Sequence, residues 1–123
     1  MEYIAVEGCE LALDHGSSSP ISISSTPSDK VKAGGKGCYK DKISFSVSGF
    51  SGNKITNGNG SGSGNISGSA EYVLIEGDPA VLENDKVTIT LNGTAGSGQS
   101  EHAESENVTV KVKKAGQDKV RGE

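Results

Sequence analysis

The stretch Ser28–Ile43, "SDKVKAGGKGCYKDKI", decides how this chain is read. Its centre, Gly34-Gly35-Lys36-Gly37, has the glycine content of a loop that cradles phosphate. A Walker loop needs G-x-x-x-x-G-K-[ST] between a strand and a helix, so that helix-end amides face the phosphates. Here Lys36 is followed by Gly37 and Cys38, and no helical periodicity comes after. The glycines read instead as a tight turn that uses positive φ. Nucleotide binding is set aside.

The same pattern recurs. Ser24–Ile43, Ser67–Val87 and Ala103–Val120 each carry serine, a short alternating strand, a polar or glycine turn, and a closing Asp-Lys-Ile/Val. The closing aspartates are Asp41, Asp85 and Asp118, read as turn or strand-start hydrogen-bonding residues at equivalent positions. Each unit is too small to bury its own apolar face, so three around an axis would share one core. The expected fold is all-β: a tapering three-sided arrangement of three pseudo-threefold strand–turn–strand repeats, near 15–43, 64–89 and 103–120, with little or no helix. The inward positions are expected to be Ile21, Ile23, Val31, Ile43, Ile66, Val73, Ile75, Val81, Val87, Ile89, Val108 and Val110.

Outward from the repeats, "ISISS" (21–25), "ISFSVSGF" (43–50), "KVTITL" (86–91) and "NVTVKV" (107–112) alternate with period two, the mark of half-buried strands. Between them, 48–69 is rich in Gly, Ser and Asn and reads as a flexible loop. The 123 residues make one domain, 1–123, and a hydrophobic content of 32% implies a thin core. A net charge of −4 argues against binding nucleic acid or anionic membrane, because it offers no basic face. The N-terminus lacks a charged segment followed by an apolar run, so synthesis and retention in the cytoplasm is expected unless the chain leaves as part of a larger particle. Two cysteines, Cys9 and Cys38, do not make a disulfide framework. The sequons at Asn65, Asn92 and Asn107 are read as compositional.

Taken together, "DHGSSSPISISSTPSDKVKAGGKGCYKDKI", "GNISGSAEYVLIEGDPAVLENDKV" and "ENVTVKVKKAGQDKV" resemble the PAAR and PAAR-like repeat proteins over about residues 8–120. The family's naming tetrapeptide would fall on Pro79-Ala80-Val81-Leu82, of which the first two residues match. The resemblance implies a small cone-shaped β-prism that serves as a structural spike tip, capping and sharpening a trimeric β-helical spike protein, one tip per trimer. Such tips belong to contractile injection machines: type VI secretion, extracellular particles and phage tails. It also implies transient contact with a target membrane, possible cargo effectors, and delivery outside the cell in a particle or virion. With no fused extension after 120, the expectation is a bare tip. Docking is expected through strand residues of the repeats, Tyr72 among them.

The resemblance further implies one zinc or iron ion near the apex. His15, in the His-Gly position of the family, His102 and Cys9 are the expected ligands, an N/S set suited to those metals. Cys38 lies within a repeat turn and is badly placed, and the family's cysteine after the last Asp-Lys-Val is replaced by Arg121-Gly122-Glu123. No enzyme is expected: His15 beside Asp14 among many serines suggests hydrolase parts, but a triad is defined by geometry, and G-x-S-x-G is absent. The alternative reading is a small β binding module, such as a surface adhesin or carbohydrate-binding repeat protein.

Overall fold

The structure is a computed structural model that describes residues 2–18 and 21–122. Met1, Ser19, Pro20 and Glu123 lie outside the described residues. The chain runs through β1 (Glu2–Tyr3), β2 (Glu10–Leu13), β3 (Ser22–Ile23), β4 (Lys32–Ala33), β5 (Lys36–Gly37), β6 (Lys42–Phe50), β7 (Gly60–Ser67), β8 (Leu74–Ile75), β9 (Asp78–Pro79), β10 (Lys86–Ala95), β11 (His102–Lys114) and β12 (Arg121–Gly122). A 3-10 turn, Gly98–Ser100, is the helical content among the described residues. The all-β expectation holds.

The long strands form one antiparallel sheet in the order β2-β11-β10-β7-β6-β3, curled into a half-barrel. Period-two alternation puts one side chain of each pair inside. Ile43 faces Ile66 across β6 and β7, and Ile89 faces Val108 across β10 and β11. Fully burying a side chain of this size contributes about 1.5–3 kcal/mol. The main core gathers Ile43, Phe45, Val47, Phe50, Ile66, Leu91, Val108, Val110 and Val112. A second cluster, with Ile4, Val6, Ala33, Cys38, Ile75, Ala80 and Leu82, lies under the short hairpins β4–β5 and β8–β9. All twelve positions expected inward belong to, or pack against, one of the two clusters.

Two expectations are corrected. Residues 48–69 are not a loop throughout: 60–67 is β7, a central strand of the sheet. Its outward positions are Ser61, Ser63, Asn65 and Ser67, and its inward ones Gly60, Gly62, Gly64 and Ile66. A Cβ on Gly62 would sit 2.7 Å from Leu91, and one on Gly64 2.6 Å from Ile89. Neighbouring side chains fill the space that this strand's own side chains would need, so its inward face reads as low complexity. The third repeat is also differently built. Residues 102–114 are sheet strand β11, paired to β10 and β2. Asp118-Lys119-Val120 takes the place of Asp29-Lys30-Val31 rather than of Asp41-Lys42-Ile43. The Val120, Val31 and Val73 carbonyls accept equivalent bonds, from the amides of Ile4 (3.0 Å), Cys38 (3.0 Å) and Ala80 (3.2 Å).

Candidate functional site

At one end of the sheet lie three short units, here called the cap. The first spans 28–41, the second 70–85, and the third is split between 115–122 and 2–9. In the first two, β4–β5 and β8–β9 are hairpins whose central residues have positive φ: Gly34 and Gly35 at 59° and 81°, Glu76 and Gly77 at 53° and 89°. Both central residues left-handed is the turn that suits strand twist. In the third unit β1 pairs with β12, Tyr3 opposite Arg121, as Lys32 lies opposite Gly37 and Leu74 opposite Pro79.

The units join head to tail. Val6 bridges Cys38, Lys40 bridges Ala80, and Leu82 bridges Ile4. Three equivalent amide-to-carbonyl bonds accompany these bridges: Glu7 to Gly37 (2.9 Å), Asp41 to Pro79 (2.8 Å) and Glu83 to Tyr3 (2.8 Å). The middle residues of the three joined segments, Ala5, Tyr39 and Val81, all turn into the main core. Outward, Tyr72 is 79% and Leu74 54% exposed. The hairpin register puts Lys32 and Arg121 in the other units where Leu74 stands. Arg121 lies over the Tyr3 ring, 4.5 Å from its centroid, and donates to the Tyr3 hydroxyl at 2.7 Å.

The three aspartates named from the sequence have unlike settings. Asp85 accepts from the Leu82 amide (2.8 Å) and the Ser69 hydroxyl (2.5 Å), closing the turn into β10. Asp41 has φ 62° and leads into β6. Around Asp118, Gln117 makes the turn: its side-chain oxygen accepts from the Lys119 and Val120 amides, both at 2.8 Å.

The three expected metal ligands do not meet. His102 opens β11 opposite Ala95, is exposed, and its Nδ1 lies 2.9 Å from the Ser100 carbonyl. Cys9 is buried beside the other end of β11, where Glu10 pairs with Lys114. The 13 residues of this extended strand put those ends roughly 40 Å of chain apart. Burial pushes the Cys9 thiol up to about 11, against the thiolate a metal needs. Among the described residues no group of three or more His, Cys, Asp or Glu is placed to hold a metal ion. The residues present do not fit the ion that the resemblance implies.

His15 has other partners, which the sequence reading missed. Its Nδ1 lies 2.9 Å from Asp14 Oδ1 and its Nε2 2.5 Å from Glu106 Oε2, so both nitrogens donate when the ring is protonated. Glu106 also accepts from the backbone amides of Asn53 (3.2 Å), Lys54 (2.7 Å) and Ile55 (3.2 Å). Asp14 accepts from the Thr109 amide at 3.1 Å. The result ties the segment after β2, strand β11 and the 51–55 turn together at the end of the sheet away from the cap. Burial works to raise the Glu106 carboxyl, but the Lys54, Ile55 and Asn53 amides and the His15 ring outweigh it and hold it near 2. The Glu106 bond, foremost, raises His15 above the ordinary histidine range; burial opposes it, and Asp14 adds to the rise. With both nitrogens bound to carboxylates, His15 has no free nitrogen to activate a serine. A signal for Glu106 was present: it shares the inward parity of Val108, Val110 and Val112, so a carboxylate stood in an apolar register.

Comparison with known families, curated proteins and solved structures gives no match to a family model, to a curated protein or to a solved structure.

Proposed function

We propose that this chain is a spike tip: a single chain that docks by its cap on a trimeric β-helical spike protein of a contractile injection machine, one tip per trimer. The observation that carries the reading is the head-to-tail set of three equivalent bonds, Glu7 to Gly37, Asp41 to Pro79 and Glu83 to Tyr3. A homotrimer presents three identical surfaces, and a monomer can meet all three alike only if it repeats its own contact surface three times. The cap repeats its backbone bonding three times and the far end does not. There the connections differ in length and content, nine residues over 51–59 against six over 96–101. In this reading the chain is a cone-shaped prism whose third unit is assembled from both chain ends, and the far end leads toward the target.

The test is capture of the chain by a trimeric β-helical spike protein from the same genome. Leu74→Asp on the cap is expected to weaken capture at least tenfold, the loss of about 1.4 kcal/mol at a buried contact. Ser63→Asp, on the outer wall, is expected to leave capture unchanged. Equal loss from both, or none from either, contradicts docking by the cap.

A further inference from the structure

The chain has three Asn-Gly pairs, Asn57-Gly58, Asn59-Gly60 and Asn92-Gly93, a dipeptide in which the asparagine can cyclise on the amide that follows. The structure treats them differently. Gly60 and Gly93 belong to β7 and β10, Gly60 opposite Phe50 and Gly93 opposite Glu104. Asn59 is held at both ends of its amide: Oδ1 accepts from the Thr94 amide (2.9 Å) and Nδ2 donates to the Thr94 hydroxyl (2.8 Å). Asn57 and Gly58 are exposed, outside any strand, and Gly58 has φ 70° with no heavy atom within 4 Å of where a Cβ would stand. No hydrogen bond of the Gly58 N–H is present among the described residues. The Asn57 side chain has one tie, from Nδ2 to the Thr94 hydroxyl at 2.9 Å.

We propose that Asn57 is a site of spontaneous modification, deamidating through Gly58, while Asn59 and Asn92 are protected by the fold. The Gly58 nitrogen attacks Asn57 Cγ, forming an N–Cγ bond. The Cγ–Nδ2 bond breaks, the Gly58 amide proton passes through water to the leaving nitrogen, and ammonia departs. Water then opens the succinimide at either carbonyl, leaving aspartate or isoaspartate. The step needs only water and base. Glycine at 58 matters twice: it adds no side chain to block the attack, and its backbone freedom lets the nitrogen reach Cγ.

The product changes the far end of the molecule. A carboxylate at 57 cannot donate to Thr94, and isoaspartate lengthens the backbone by one methylene. The added methylene falls between the Asn57 amide, 3.2 Å from the Thr94 carbonyl, and Asn59, whose side chain also binds Thr94, so the two ties to Thr94 lose their common register. Each modified chain gains one negative charge on the 51–59 connection, next to the turn that Glu106 holds.

The test is peptide mapping by mass spectrometry of the intact chain incubated at mildly alkaline pH, beside a urea-unfolded control. The expected result is amide-to-acid conversion at Asn57 about tenfold or more ahead of Asn59 and Asn92, whose ties to the sheet must open first, with the three rates converging in urea. Asn57→Gln, which would have to close a larger ring, is expected to remove the fast phase. Asn59 or Asn92 reacting first, equal rates in the folded chain, or an Asn57 that reacts only in urea would each overturn the assignment.

Discussion

Glu106 shows what one buried carboxylate can organise. It stands in a row of inward valines, yet is only 5% exposed and accepts four hydrogen bonds, three from backbone amides and one from His15. Glu106→Ala leaves those amides without an acceptor. At about 1–3 kcal/mol for an unsatisfied buried donor, softened where water can enter, a loss of about 3 kcal/mol is expected by urea denaturation. Glu106→Gln keeps one acceptor oxygen and is expected to cost less. The pH dependence follows from the directions of the shifts. Glu106 is depressed from an ordinary 4.5 to about 2, so its contribution is complete above 4.5 and is lost as pH falls toward 2. His15 is raised from 6.5, so its contribution is complete below 6.5 and is lost as pH rises through the raised value. Stability from this cluster is therefore greatest between about pH 4.5 and 6.5. His15→Asn is expected to flatten the alkaline decline in a series of denaturation midpoints, and a decline that persists unchanged would assign it to other groups.

At the scale of elements, the informative case is β7. Its "GSGSGNIS" has serine and asparagine outside and mostly glycine inside, so the usual mark of a strand, apolar residues every second position, appears only at Ile66. Extra volume on the inward face has nowhere to go. Gly64→Val places its first carbon 2.6 Å from Ile89, and is expected to lower stability by about 1–3 kcal/mol through overpacking. Ser63→Val, one residue away and outward, is expected to stay within about 0.5 kcal/mol. The other long strands were legible because valine, isoleucine and phenylalanine fill their inward positions. The hairpin turns were legible through Gly34-Gly35 and through Gly77. Glu76 was not, since a glutamate at φ 53° is held there by the Ser28 hydroxyl, 2.6 Å away and 48 residues back in sequence.

For the whole molecule, the tripeptide that recurs in the sequence does not fall at one structural position. Asp-Lys-Val occurs before the first hairpin at Asp29 and, as Asp-Lys-Ile, after it at Asp41, and only the backbone bonds show that Asp118 matches the former. The third unit could not be read as a contiguous segment, because β1 and β12 come from opposite ends of the sequence. The candidate site was legible in part. His15 was singled out, but its tie to Glu106 spans 91 residues and replaces the metal set expected with His102 and Cys9. What the cap does is the central claim, and the mass of the complex tests it most directly. The chain mixed in excess with a trimeric β-helical spike protein from the same genome, and weighed by native mass spectrometry, is predicted to give one chain per spike trimer. Three chains per trimer, or a homotrimer of the chain that ignores the spike, would contradict it.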